Sequence, residues 1–583
     1  MKSKILRGVP ASPGIAMGKA YVLKKPYLVF SGGSKGVEEE MEVFLEAIRK
    51  TKEELSGIKE GLSGDAVGII EVQEAILEDP LFRERVETKI KDGKGAHESI
   101  LEFLDEIKRE FGSLGDRYLK ERYLDIKDVS HRILHHIFPR RIEWQPEEPH
   151  ILIAHDLTPS ETAQLNKDRV LGFATDAGGR TSHTAIVARS LGIPAVVGLS
   201  NATKEIKHGD EVILDGIKGV LIVNPPEKIK RTYRKRKEEY EKLEKELLSL
   251  KELSATTIDG YEVDLSANIE MIEEIEAVKR CGAKGVGLLR TEFFFFSERR
   301  LPGEEEQFEF YKKIASSLAP DPVIIRVLDI GGDKLYSWEE YKEANPFLGW
   351  RGIRILLEEK NLLKTQLRAI LRASACGNVK ILLPMISSID EVMDAKKILE
   401  ETKEELRKEG KEFDEKIELG VMVEIPSCAL LAREMGKFVD FFSIGSNDLT
   451  QYTLAVDRTN ERISYLFSHL HPAVLKLMKL TVEGGHENGK WVGVCGEIAG
   501  DPLSVPVLLG LGVDELSTSP IIIPEIKSII RGLTMEEARS ITEKVMRMNR
   551  VEEIRRYLRE EMAQRFPLLI NLFVEEEDAG DNR

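Results

Sequence analysis

The chain is 583 residues long, with 42% hydrophobic and 32% charged residues, which predicts several globular domains with ample material for large cores. Its 85 basic and 101 acidic residues leave a net charge of −16, which argues against non-specific nucleic-acid binding through bulk charge. Four cysteines, Cys281, Cys376, Cys428 and Cys495, show neither metal-ligand spacing nor a disulfide framework, so a reducing cytoplasm is expected. Pro10, Pro13 and Gly14 interrupt any signal-peptide core, and no apolar run approaches the length of a membrane span.

In chain order, residues 1–24 hold a Gly/Pro turn, GVPASPGIAMG, and an alternating apolar segment from Ala16 to Leu23 that predicts a strand. Residues 25–142 read as a helical domain. Met41, Phe44, Leu45 and Ile48 share one helical face, as do Ile100, Phe103, Leu104 and Ile107. His131, His135 and His136 stand at helical spacing, but no carboxylate or cysteine set completes a metal site, so they read as packing or surface residues. Residues 143–226 alternate short apolar strands with helical pieces, and together with 1–24 they predict a compact α/β domain.

Within that domain lies GGRTSHTAIVARSLGIPAVVG, from Gly178 to Gly198. The glycines allow a tight turn, Thr181 and Ser182 are helix-capping residues, and Ala185-Ile186-Val187-Ala188 continues a helix. His183 therefore falls in the first helical turn, among unpaired backbone N–H groups at the positive end of the helix dipole. A phosphoryl group is favoured there, and Arg180, Thr181, Ser182 and Thr184 add donors. We read His183 as a phosphohistidine. After Pro225-Pro226, residues 227–258 predict a linker helix whose basic cluster, Lys228 to Lys237, is balanced by acids from Glu238 onward.

From Asp259 the chain repeats strand then helix. VDLSANI, GVGLLRTEF, VIIRVLDIGG, VKILLPMI, LGVMVEIP, VDFFSIGSND, WVGVCGEIAGD and VDELSTSP are eight strand candidates, which predicts a (β/α)8 barrel within residues 259–583. The candidate strand ends carry Arg290, Arg326, Asp329, Glu424, Asn447, Asp448, Cys495 and Glu497, which a barrel would gather at one mouth. Arg290, Arg326 and Arg458 suit bidentate binding of carboxylate or phosphate oxygens, and Lys334 adds a point charge. Glu424 and Asp448 are hard oxygen ligands suited to Mg2+, Asn447 can contact a phosphate, and Cys495 between Val494 and Gly496 is a candidate proton donor.

The stretch around His183 resembles the phosphohistidine signature of the phosphoenolpyruvate-utilising enzymes: enzyme I of the bacterial sugar phosphotransferase system, pyruvate phosphate dikinase and phosphoenolpyruvate synthase. ASPGIA, LLRTEF, RVLDIGGDK, NPFLGWR, QLRAILRAS, SIGSNDLTQYTLAVDR and CGEIAGD resemble enzyme I closely. The dikinases and synthases need a large nucleotide-grasping domain ahead of the histidine. Only about 180 residues precede His183 here, without a glycine-rich phosphate loop, so the enzyme I family is favoured.

This resemblance implies a multidomain α/β protein: a phosphohistidine swivel domain, an inserted helical subdomain that docks the small histidine-containing phosphocarrier protein, and a C-terminal (β/α)8 barrel that binds phosphoenolpyruvate and forms a homodimer. It implies that Arg290, Arg326, Asn447, Asp448 and Arg458 bind substrate, that Glu424 and Asp448 bind Mg2+, and that Cys495 protonates the pyruvate enolate. His183 matches the residue phosphorylated on Nε2. The expected reaction moves the phosphoryl group of phosphoenolpyruvate to His183 and then to a histidine of the carrier, releasing pyruvate, as the first step of sugar uptake. The alternatives are a dikinase- or synthase-like enzyme and a non-catalytic scaffold that binds the carrier.

Overall fold

The computed structural model describes residues 3–23, 36–61, 76–77, 79–112, 126–127, 129–130, 132–134, 136–137, 148–157, 169–178, 188, 193–296, 301–331, 345–458, 460 and 462–573. The chain divides into two compact units, Met1–Glu241 and Lys242–Arg583.

The first unit is built on an eight-stranded mixed sheet. Its strands are β1 (Lys4–Arg7), β2 (Val9–Ser12), β3 (Ile15–Val22), β4 (His150–Ala154), β5 (Val170–Thr175), β6 (Ala195–Val197), β7 (Glu211–Asp215) and β8 (Val220–Val223), in the order β1-β8-β7-β3-β4-β5-β6-β2. β3, β4, β5 and β6 run parallel to one another, and the remaining pairs are antiparallel. β4 reads HILIA and is buried at every residue, as expected for a central strand covered on both faces.

Helices Val37–Gly61, Pro80–Lys91 and Ala96–Gly112 come between β3 and β4 in sequence, and their apolar stripes close a separate core around Phe44, Ile48, Val86, Ile100, Phe103 and Ile107. Glu40 ties two of them by accepting from the N–H of Ala96 at 2.8 Å.

The helix Glu227–Ser249 leads from the first unit into the second. Its Ile229 and Tyr233 pack against Ile213, Val220 and Ile222, and Arg236 reaches the fully buried Asp215 at 3.0 Å. The helix ends at Ser249, short of the expected boundary at 258. Beyond it the backbone bonds elsewhere: Lys527 donates to the carbonyls of Lys251 and Gly282 at 3.0 and 2.8 Å, and Arg531 donates to that of Ser254 at 2.8 Å.

The second unit is a closed barrel of eight parallel strands. They are β9 (Asp264–Ile269), β10 (Val286–Leu289), β11 (Val323–Arg326), β12 (Val379–Leu383), β13 (Leu419–Val423), β14 (Phe441–Ile444), β15 (Trp491–Val494) and β16 (Glu515–Thr518), and β9 closes the ring between β16 and β10. All eight fall within the stretches read as strands. Each is four to six residues long; most are rich in Val, Ile, Leu and Phe, while β9 (DLSANI) and β16 (ELST) carry more polar residues, and nearly every position is buried because the barrel lumen lies on one face and helices on the other. Leu288, Ile324, Leu382, Met422, Phe441 and Cys495 fill the lumen, and Phe441 stacks on Trp491 with ring centroids 4.4 Å apart. The strands' C-terminal ends place the polar residues at one mouth.

Candidate active site

β11 ends at Arg326, and Asp329 follows three residues later. Both are buried, at 7% and 2% exposure. Arg326 donates to Glu292 Oε1 at 2.9 Å and lies 3.4 Å from Asp329 Oδ2 and 3.6 Å from Glu424 Oε1. Its Nε is buried without a hydrogen-bond partner, so this guanidinium keeps a donor in hand. Glu424 directly follows β13, and the Met385 N–H donates to its Oε2 at 2.8 Å. Burial, reinforced by the neighbouring Asp329 and Asp448 carboxylates, pushes the Glu424 carboxyl well above the usual range, against the pull of Arg326 and Arg351.

β14 ends at Ile444, and the helix Ser446–Leu454 starts at once, putting Asn447 and Asp448 in its first turn. Asn447 is paired twice with Glu497: its Nδ2 donates to Oε1 at 3.2 Å, and its Oδ1 accepts from the Glu497 N–H at 3.0 Å. Arg351 comes from the connection between β11 and β12. It donates to both Asp329 oxygens, Nε at 3.1 Å and Nη2 at 2.9 Å, and Nη2 also reaches Asp448 Oδ2 at 2.9 Å. Gly352 beside it has φ +58°, and a Cβ there would lie 3.0 Å from Asp329 Oδ1, so the close approach of this loop needs glycine.

Asp329, Glu424 and Asp448 each offer a carboxylate oxygen within 4.8 Å of the others. Four carboxylates (Glu292, Asp329, Glu424, Asp448) face two guanidiniums (Arg326, Arg351), leaving a formal balance of minus two. Hard oxygen donors with that balance fit a divalent cation such as Mg2+.

Cys495 follows β15 and is 2% exposed. Its N–H donates to Ile444 O at 3.1 Å, and burial pushes its thiol up to about 11, so it holds its proton at neutral pH. Arg290, just past β10, pairs with Glu270 at 2.9 Å and is partly exposed. Arg458 is exposed, and its backbone N–H reaches Gln451 Oε1 at 3.4 Å. Lys334 and His183 lie outside the described residues.

The stretch holding His183 begins just after β5, in the first unit. The exit of that strand is pinned on two sides: the Ala177 N–H donates to His155 O at 2.9 Å, and the Gly198 N–H donates to Ala177 O at 3.2 Å. Asp176 is buried and accepts from Thr203, while the exposed His155 lies 3.3 Å from its Oδ2. Gly178 takes φ +107°, the left-handed region anticipated for the glycine turn.

Sequence pattern alone assigns no role to Arg351, Glu292 or Asp329, although Asp329 stands near a strand end. The signal for the first was the W-R-G step at 350–352; the signal for the second was its place two residues after Arg290, opening the helix Glu292–Phe296.

Residues 7–122, 146–219 and 244–535 match the family models for the N-terminal, mobile and PEP-binding domains of PEP-utilising enzymes. Over 562 residues, 95% of this chain and 98% of the relative, the sequence is 43% identical to the phosphoenolpyruvate-protein phosphotransferase of Staphylococcus aureus. It is 44% identical over 563 residues to the protein of that name from Bacillus sp. (strain S), covering 95% of this chain and 97% of the relative. An NMR solution structure of Enzyme I (nEIt) is 44% identical, covers 40% of this chain and 99% of that one, and has a TM-score of 0.34.

Proposed function

The chain belongs to the phosphoenolpyruvate-protein phosphotransferases, and we propose that it carries out their reaction through His183, Cys495 and a Mg2+ ion held by Glu424 and Asp448. The chain is an enzyme that moves the phosphoryl group of phosphoenolpyruvate to a phosphocarrier protein. The observation that carries the reading of the site is the barrel mouth, where buried arginines and carboxylates from separate strand ends and from the β11–β12 connection converge.

Arg326, with its unpartnered Nε, and the accessible Arg290 and Arg458 bind the carboxylate and phosphate oxygens of the substrate, and Lys334 adds charge. Asn447 orients a phosphate oxygen. The cation, when bound, neutralises phosphate charge and the negative charge that develops on the departing oxygen. His183 Nε2 attacks phosphorus in line. The P–O bond to the enol oxygen breaks, and its electron pair leaves with the pyruvate enolate. Cys495 then gives its S–H proton to the methylene carbon, and the thiolate recovers a proton from water.

Phosphohistidine next passes the group to a histidine on the small carrier protein, docked on the helical part of the first unit. The linker helix lets one imidazole meet the two partners in turn. We place the enzyme in the cytoplasm as a homodimer joined through the barrel, in keeping with the family; among the described residues no helix is long and apolar enough to cross a membrane.

The test is incubation with Mg2+ and phosphoenolpyruvate labelled in its phosphate, without nucleotide. Acid-labile, base-stable label that is absent from His183→Ala, with pyruvate released and label passed to added carrier protein, is expected. Label on the wild-type enzyme only in the presence of ATP would overturn the reading in favour of a dikinase-like enzyme. Absence of label under both conditions would favour the non-catalytic scaffold.

A further inference from the structure

Strand β9 closes the barrel, and its next-to-last residue, Asn268, reaches past its own ladder. Its Nδ2 donates to Cys495 O at 2.9 Å and to Ser517 O at 3.2 Å, while its Oδ1 accepts from Ser517 Oγ at 2.6 Å. These bonds stand where the backbone ladder stops. β14 and β15 are paired over four residues, but β15 and β16 over only two, Gly493 with Glu515 and Val494 with Leu516. Cys495 is thus held by its N–H to Ile444 on the β14 side and by its carbonyl to the Asn268 amide on the other. The next residue leaves no slack, because a Cβ on Gly496 would lie 1.9 Å from Ser446 Oγ.

We propose that Asn268 is a positioning residue for the proton-transfer half of the reaction: it fixes the Cys495 peptide so that the thiol faces the methylene carbon of the substrate. The proposal rests on the reading of Cys495 as the proton donor. An amide is suited to the task because one side chain must donate to two carbonyls and accept from a hydroxyl at once, which no carboxylate, hydroxyl or aliphatic side chain can do. The residue acts through Cys495 and forms no bond to the reacting atoms. Its loss leaves the transfer of phosphate between His183 and the carrier untouched.

Proton transfer can be read alone. With pyruvate and Mg2+ in D2O at alkaline pD, where a fraction of Cys495 has given its proton to solvent, the thiolate takes a proton from the methyl group, exchanges it with solvent and returns a deuteron to the enolate carbon, with no phosphoryl group involved. Methyl exchange is followed by NMR for wild type, Asn268→Ala, Asn268→Asp, Cys495→Ala and the Asn268→Ala/Cys495→Ala pair. Asn268→Asp is close to isosteric and keeps the acceptor for Ser517, while it replaces both donors by a carboxylate oxygen that repels the Cys495 and Ser517 carbonyls, so it releases the Cys495 peptide and carries the test if the alanine variant does not fold.

Exchange is expected to fall roughly ten- to a hundredfold in both single Asn268 variants, the scale of a ~1 Å misplacement of a reacting group. KM for phosphoenolpyruvate and the rate of enzyme phosphorylation by phosphorylated carrier should stay near wild type. The double variant should be no slower than Cys495→Ala, because the amide acts only through the thiol. Wild-type exchange in Asn268→Asp, or a further fall in the double variant of the same factor as in Asn268→Ala alone, overturns the proposal. Undiminished exchange in Cys495→Ala would instead remove the premise, and that outcome is distinct from either of the others.

Discussion

Substituting Asp329 by asparagine tests whether the mouth is tuned for a divalent cation. Asp329 places its carboxylate against Arg351 at 2.9 and 3.1 Å and against Arg326 at 3.4 Å, within 4.8 Å of carboxylate oxygens of Glu424 and Asp448. At an effective dielectric of about 20, repulsion across 4.8 Å, the upper limit for these oxygens, comes to ~3.5 kcal/mol per ionised pair, so Asp329 meets roughly 7 kcal/mol with both neighbours ionised and less as the raised Glu424 carboxyl takes up a proton. Its attraction to the two guanidiniums at 2.9 and 3.4 Å is on the order of 10 kcal/mol by the same rule. The two largely cancel, and both arginines keep other carboxylates, so the cation-free protein should lose only about 1–3 kcal/mol of stability. Cation binding has no such compensation. The formal balance of the mouth moves from minus two to minus one, and an oxygen donor is replaced by a neutral amide. Mg2+ and Mn2+ affinity should fall about ten- to a hundredfold, measured by titration calorimetry on Asp329→Asn and wild type. A Kd within twofold of wild type, together with a lowered melting temperature, would refute the reasoning and leave Asp329 as only a structural partner of Arg351.

Two further perturbations probe the barrel away from the cation. Glu515 is 4% exposed, its Oε2 has no hydrogen-bond partner, and burial, with Asp264 adding, pushes its carboxyl up to about 7 from an ordinary 4.5. The folded state therefore binds more protons than the unfolded chain between those pH values, so this group's contribution to stability is full below about 4.5 and is lost as pH rises through about 7. At ~1.4 kcal/mol per pH unit the loss comes to roughly 3 kcal/mol, and Glu515→Gln should raise the barrel's unfolding temperature at pH 8 but not at pH 4.5. An equal effect at both pH values would count against a protonated Glu515. Gly496→Ala drives a Cβ to 1.9 Å from Ser446 Oγ and 2.6 Å from Ser446 N, so the Cys495–Glu497 turn must shift at a cost of about 1–3 kcal/mol. Steady-state kinetics should then show a larger fall in kcat than rise in KM; unchanged kcat would show that the turn tolerates the shift.

The barrel was legible in the sequence because most strands are short apolar runs, several of them closed by a polar residue, and eight strand candidates alternate with helical pieces. Arg326, Glu424, Asn447, Asp448 and Cys495 stood out for the same reason: each lies at, or within four residues of, the end of a buried strand. Arg351 did not, because its place at the mouth comes from a loop rather than a strand. It is brought there by the bridge between Gly331 and Arg351 and by the left-handed Gly352. The linker helix was over-extended to 258 because Lys, Glu and Leu favour helix whatever follows. The bonds from Lys527 and Arg531 that draw the backbone away come from residues some 275 positions later.

The least legible part of the site is what holds Arg326 in place. Gln366 lies in the amphipathic helix Lys360–Ala373, on the same stripe as Leu363, Leu367 and Ile370. In the fold it is fully buried. Its Oε1 accepts from the Leu328 N–H at 2.9 Å, and its Nε2 donates to Tyr311 Oη at 3.1 Å and to Thr291 Oγ1 at 3.4 Å. Thr291 in turn donates to Arg326 O at 3.1 Å, and Glu292 accepts from the Asp329 N–H at 3.0 Å. The turn carrying Arg326 and Asp329 is therefore fixed by side chains from two other segments, Thr291-Glu292 and Gln366, with Tyr311 bracing Gln366. Burying an amide, a phenol and a hydroxyl is costly unless each finds a partner, so the network stabilises only when all of its members are in place. Such mutual dependence has no local signature: each residue's neighbours in sequence are silent about its partners. Loss of the Gln366 amide would release the backbone of the turn, even though its side chain bonds to Leu328, Thr291 and Tyr311 rather than to Arg326 or Asp329.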